Sequence, residues 1–169
     1  MKRCAALIVL FCLVAVPLAV ADDTDEPNQV CDAAKIGFYL PEDTQTTIDT
    51  GTWIAVSDSD GLIVMVDKND TAFANSDLTD KNLSKACAYQ SVKNYKFVDS
   101  YSDNGLVFLY GTGTYKNKDG KSYDGFFGLL NNSDIKKTTF FVAFLVPSLK
   151  DKAVYKRVLD MVENVVPMQ

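Results

Sequence analysis

Gly120-Lys121-Ser122 is the triplet in this chain with the strongest chemical connotation, because a phosphate-binding P-loop ends that way. Such a loop also needs a glycine at position 115, so that backbone N–H groups can curl round the phosphates, and a helix straight after. Position 115 is Tyr115, Gly113 lies too far upstream, and the next run, "YDGFFGLL", reads as a strand. The phosphate reading falls. Asp58-x-Asp60-Gly61 shares a fragment with calcium loops, but the remaining ligand positions are Val56 and Asp67, and Asp-Gly is a hairpin-turn dipeptide. Asp119 with Asp124, or Asp58 with Asp60, could flank a glycosidic bond as an acid pair. Turn aspartates more often bond their own backbone. The chain has no histidine. That removes Ser-His-Asp and Cys-His nucleophile systems, histidine bases and the common zinc and copper sites. No catalytic residue, metal or cofactor is expected.

What remains is binding chemistry. "GTGTYKNKDGKSYDG" (111–125) reads as the two edges and tip of a β-hairpin turning at Asp119-Gly120. Lys116, Lys118 and Lys121 make that tip basic on an acidic chain, and Tyr115 and Tyr123 flank it. These five residues are the candidate contact for a protein partner. A second signal is that "FFGLL" and "TTFFVAFLV" are apolar on both strand faces. One face must meet helices; the other needs a cover, a lipophilic ligand or a partner.

The ends and the composition narrow the setting. Lys2 and Arg3, the apolar run 5–16, Pro17 and the small residues Ala19-Val20-Ala21 have the anatomy of a cleaved secretory signal, which predicts an exported chain, periplasmic or secreted. Cleavage after Ala21 leaves 148 residues, with 15 Lys and Arg against 22 Asp and Glu, a net charge of −7. An acidic surface of that kind disfavours sequence-independent nucleic-acid binding, and nothing after residue 21 is long and apolar enough to span a membrane. Cys4 and Cys12 would leave with the signal. Cys31 and Cys87 remain, an even pair that in an oxidising compartment predicts a disulfide. Asn69-Asp-Thr, Asn82-Leu-Ser and Asn131-Asn-Ser match glycosylation sequons, patterns that matter only in a eukaryotic secretory pathway.

Residues 22–34, opening with "DDTDEPNQ", read as a flexible acidic leader before a single domain over 35–167. "KIGFYLP" is a short strand stopped by Pro41. The runs 52–57 and 61–67 form a hairpin around "SDSDG". A helix over roughly 78–92, capped by Asp77 or Thr79, buries Leu83, Ala86 and Cys87 on one face. Four β-rich runs between 95 and 146, separated by turn-rich breaks, form an antiparallel meander. Ser148 opens a last helix whose stripe of Val154, Val158, Leu159, Val162, Val165 and Val166 needs a sheet beneath it. The order βββ-α-ββββ-α makes an α+β fold, one antiparallel sheet of six to seven strands with helices packed on it.

"IGFYLPED" at the domain start, the "TWIAVSDSDGLIVMV" hairpin, "YDGFFGLL" with "TTFFVAFLVP", and the closing "SLKDKAVYKRVLDMVENV" occur in an order that resembles the PsbP/Mog1-like family of small α+β domains, including its exported DcrB-like bacterial members. The resemblance spans about 35–167. Members of that family share no catalytic residues and act as accessory or binding proteins, in photosystem assembly or on a small GTPase. It therefore implies a non-enzymatic module of the cell envelope and leaves the partner open. A carrier of a small apolar ligand between helix and sheet is the second expectation, a carboxylate-based hydrolase the third.

Overall fold

A computed structural model describes residues 26–59 and 61–168. The predicted signal, residues 22–25 and Asp60 lie outside the described residues. Seven strands form the main sheet: β3 (Gln45–Asp49), β4 (Thr52–Ser57), β5 (Leu62–Lys68), β6 (Lys93–Asp103), β7 (Leu106–Lys116), β8 (Ser122–Asn132) and β9 (Phe140–Val146). Their spatial order is β3-β4-β5-β9-β8-β7-β6, antiparallel throughout. The predicted meander and the predicted 52–67 hairpin are both present. They meet where β5 pairs with β9, which places the β4–β5 hairpin beside the last strand of the meander.

The double-sided apolar strands have a double-sided core. Alternation along β9 sends Phe140, Val142, Phe144 and Val146 to the first face and Phe141, Ala143 and Leu145 to the second. On the first face lies α2 (Lys152–Glu163), with Val158 and Val162 buried. Tyr101 Oη shares its proton between the carbonyls of Val162 and Val165, both at 3.1 Å, at the helix end where carbonyls lack intrahelical partners. On the second face lies α1 (Asp80–Tyr89), seated by Leu83, Ala86 and Cys87 as predicted. Thr79, one of the two predicted caps, accepts from the Asn82 N–H at 3.4 Å. The cap of α2 is Asp151, whose Oδ1 accepts from Ala153 N at 2.7 Å and Val154 N at 3.3 Å; Ser148, the predicted cap, instead accepts from Lys150 N ahead of the helix. A carboxylate there also suits the positive end of the helix dipole.

The N-terminal region departs from expectation in three ways. Residues 29–34 are no flexible leader: β1 (Gln29–Cys31) pairs with β2 (Ile36–Phe38), and Cys31 and Ala34 are buried. The predicted first strand does not join the main sheet. It is the middle of a separate three-stranded sheet with β1 and β10 (Val166–Pro167), and Ile36 and Phe38 fill the first-face core, Phe38 stacking on Trp53 at 5.2 Å. And Cys31 and Cys87 form no disulfide. Both are buried free thiols, Cys31 in the first-face core and Cys87 in the second, with the sheet between them. Burial raises both thiols, Cys87 to about 12, so neither is a thiolate at neutral pH. In alkylation of the native protein followed by peptide mass spectrometry, both should stay unmodified until denaturant is added, then label without prior reduction. A requirement for reductant would restore the disulfide.

Asp43, in the loop before β3, clamps the β4–β5 turn. Its Oδ1 accepts from Ser57 Oγ at 2.7 Å and its Oδ2 from Ser59 N at 2.9 Å. The Ser57 bond, then the Ser59 bonds, hold its carboxyl below the ordinary 3.8. A carboxyl depressed in the folded state contributes stability above its unfolded pKa and loses that contribution as pH falls through the folded value. Asp43→Asn should therefore flatten the acid limb of stability below about pH 4. Thermal melts across that range check it, and an acid limb identical to that of the parent chain would discount the clamp.

Candidate functional site

The 111–125 segment is the hairpin expected, ending β7 and opening β8 with Tyr115 paired to Tyr123 and Lys116 to Ser122. Asn117 organises the turn: its N–H donates to Lys121 O at 2.9 Å, its carbonyl accepts from Gly120 N at 3.0 Å, and its Oδ1 accepts from Lys121 N at 2.8 Å. Gly120 sits at φ +84°, the left-handed region in which a side chain is strained. No helix follows, so the Gly-Lys-Ser triplet turns a hairpin and cradles nothing. Lys116, Lys118 and Lys121 are exposed, and Lys121 Nζ stands 5.0 Å from the centroid of Tyr123. The two tyrosines divide the work. Tyr123 is buried in the second-face core, whereas Tyr115 is half-buried and turned towards the uncovered part of that face.

That uncovered part is what the sequence did not disclose. α1 lies over β6, β7 and β8. Its closing turn is anchored by Val92, which occupies the space a side chain on Gly113 would take, with a Cβ there only 2.6 Å from Val92 Cγ1. Gly113 stands directly opposite Gly125, so the helix approaches over a bare stretch of the two strands. On the far side of the same face, Ile54 pairs with Met65 and Val56 with Ile63 across β4 and β5, and all four are half-exposed. Pairing continues these two rows inward, Met65 to Ala143 to Phe127 and Ile63 to Leu145 to Gly125. The next row out is Tyr123 with Tyr115. An apolar shelf thus runs from β4 to the foot of the lysine-bearing tip. At its seam with α1 is a small cavity of about 50 Å³, lined by Met65, Gln90, Val92, Tyr115 and Phe127 among others.

Among the described residues the Asp119–Asp124 acid pair does not assemble, and Asp60, the proposed partner of Asp58, lies outside them. Asp124 faces the first side, where Oδ1 accepts from Thr114 Oγ1 at 3.3 Å and Oδ2 from Leu149 N at 3.1 Å, a structural staple into the segment before α2. Asp119 is exposed in the turn and no second carboxylate is brought to it by the pairing. Asp58 accepts from Gly61 N through its carbonyl at 3.4 Å, as a hairpin turn requires. Among the described residues no group of three or more His, Cys, Asp or Glu could hold a metal ion, and no helix is long and apolar enough to cross a membrane. Asn131 of the third sequon is buried. Its Nδ2 donates to Phe73 O and Asn75 Oδ1, and its Oδ1 accepts from Thr139 Oγ1 at 2.7 Å, which withdraws it from modification in the folded chain.

No protein-family model matches this chain, and neither does any curated protein. In three dimensions it is similar to the Saccharomyces cerevisiae Ran-binding protein Mog1p, with a TM-score of 0.49 and 11% identity over 83% of this chain and 94% of that one. It is also similar to LpqN of Mycobacterium tuberculosis, described as involved in cell envelope biogenesis, with a TM-score of 0.44 and 13% identity over 79% of this chain and 83% of that one. These likenesses concern the fold and bring no partner or activity to this chain.

Proposed function

We propose that this chain is a non-enzymatic binding module of the cell envelope that holds a protein partner on the apolar shelf of its second sheet face. The observation that carries the reading is the shelf itself: Ile54, Val56, Ile63 and Met65 stay half-exposed, whereas α1 covers β6, β7 and β8 on the same face. Contiguous apolar surface left open on a folded domain is where partners dock. Tyr115 and the three tip lysines adjoin it, on a chain whose net charge is −5. The matching partner is a segment that places apolar side chains on the shelf and carboxylates beside the tip. Aromatic anchors next to a charged rim are common at such interfaces.

The shelf itself suits a protein surface better than a carried lipid. Its cavity, about 50 Å³, is well below the roughly 300–1,000 Å³ that small-molecule sites occupy. Wider clefts, about 500 Å³ between α1 and residues 69–73 and about 540 Å³ beside residues 131–138, lie elsewhere on the domain. The signal-like pattern of residues 1–21 supports the envelope setting.

The test is site-specific photo-crosslinking in the native envelope. A probe at Ile63 or Tyr115 should trap one defined protein, and a probe at Lys156 on α2 should not. Lys116→Glu with Lys121→Glu should weaken capture, and added salt should weaken it in the parent chain, because rim charges act through screened attraction. No adduct at the shelf, or the same adducts at α2, sinks the proposal; a lipid found bound to gently purified protein would replace it.

A further inference from the structure

The two edges of the main sheet are built differently. β6 carries register breaks between Lys93 and Lys96 and between Phe97 and Asp99, with Asn94 at φ +54°. Charges at Lys93, Lys96, Asp99 and Asp103 run along it. Bulges and charges are the devices that stop an edge strand from recruiting another strand. β3 has neither bulge, lysine nor proline, and its single charge is Asp49 at the end of the strand. Its five residues pair with β4 in unbroken register, from Gln45 opposite Val56 to Asp49 opposite Thr52, and all five are exposed. Ile48 is 73% exposed although it stands opposite the buried Trp53. Among the described residues no strand pairs with the outer side of β3.

We infer that β3 is the edge through which two copies of this chain pair, antiparallel, so that the main sheet runs continuously across a two-fold dimer. The strand is complementary to itself in that arrangement. With Thr47 on the axis, Gln45 of one copy faces Asp49 of the other and Thr46 faces Ile48. The amide of Gln45 then meets a carboxylate, and no charge opposes its like. Centring on Thr46 would instead set Asp43 against Asp49. Residues opposite one another in an antiparallel pair share a sheet face. Each Ile48 would therefore close the gap between Trp53 of its own copy and Thr46 of the other, removing a large apolar side chain from water. The two-fold axis stands perpendicular to the sheet, so both shelves of apolar residues end on the same side of the dimer. The strand edge is separate from the shelf, so the dimer stands even if partner capture fails.

Sedimentation equilibrium of the chain as its own cells process it should show a monomer–dimer equilibrium, with amide exchange at 45–49 slowing as the dimer fills. Ile48→Lys alters a side chain already in water and should leave the monomer's melting unchanged while weakening association by roughly tenfold or more. Phe97→Lys on the other edge should leave association unaltered. Thr47→Pro should abolish association, and its monomer melt tells loss of pairing from loss of fold. A chain that stays monomeric at every accessible concentration overturns the inference. So does a dimer whose 45–49 exchange is independent of concentration, or one that Ile48→Lys leaves as tight as before.

Discussion

Gly128→Ala should cost this domain about 2–3 kcal/mol of stability, read as a lower urea midpoint with an unchanged slope. Gly128 lies mid-strand in β8, opposite Tyr110 on β7 and Val142 on β9. The space its side chain would take is already filled by the edge of the Phe108 ring, with the Leu109 carbonyl 2.8 Å from where a Cβ would stand. Neither neighbour can give way cheaply. Phe108 is 1% exposed and meets Tyr101 edge-on at 5.8 Å and Tyr110 at 5.7 Å, so its ring cannot swing without displacing both. The Leu109 carbonyl belongs to a backbone in register with Leu129. Interiors this close-packed resist even one added methyl. Phe108→Leu in the Gly128→Ala background should recover part of the loss, a coupling that two independent sites would not show. An unchanged midpoint in Gly128→Ala would remove the packing account.

Asn132→Ala should be of similar size for a different reason. Asn132 is buried on the first face, and its Nδ2 donates to Ala34 O at 3.0 Å and Lys35 O at 2.8 Å while its Oδ1 accepts from Asp134 N at 3.0 Å. Those bonds fasten the β1–β2 turn, where Lys35 sits at φ +49°, to the end of β8. Truncation leaves buried backbone groups without partners, at about 1–3 kcal/mol for each one left unsatisfied. Lys35 O keeps one bond, from Met168 N at 2.9 Å, so the Ala34 carbonyl carries most of the loss. Hydrogen exchange should show β1, β2 and β10 losing protection before the main sheet does. Uniform loss over both sheets would mean that the turn is not a separate clamp. Asn132→Asp should be worse than alanine at neutral pH, because it points a carboxylate at two carbonyls.

The adjacent asparagines also illustrate what a linear reading can and cannot recover. "NNSD" has the composition of a turn, and 133–134 do turn; the two preceding residues end a strand. Neighbours in a strand point to opposite faces. Asn131 therefore ties the 73–75 segment to the second face and Asn132 ties the 34–35 turn to the first. Their partners lie far away in the chain, and no local pattern carries such information. β3 is not legible in the sequence for a related reason. "QTTID" is exposed throughout, so it lacks the alternation that marks a half-buried strand. β10 is two residues long and exists because β2 is there to pair with.

Of the candidate site, the local half was legible. Asp-Gly between alternating runs specifies a hairpin, and lysine at 116, 118 and 121 specifies a basic tip, because turn chemistry and charge are properties of a few consecutive residues. The absence of histidine narrowed the chemistry before any fold was in view. The two helix stripes and the doubly apolar strands required a sheet buried from both sides, since periodicity and hydrophobicity act within one element. Which residues that sheet leaves open could not be read the same way. Coverage depends on where α1 comes to rest, and that is decided by Gly113 and Gly125 lying opposite each other beneath Val92, with β5 paired to β9 beyond the helix's reach. The same long-range placement put Cys31 and Cys87 on opposite sides of the sheet, where a pair that parity alone would join cannot meet. Local sequence sets what each element is; only packing between distant elements sets which surfaces, thiols and strand edges remain available.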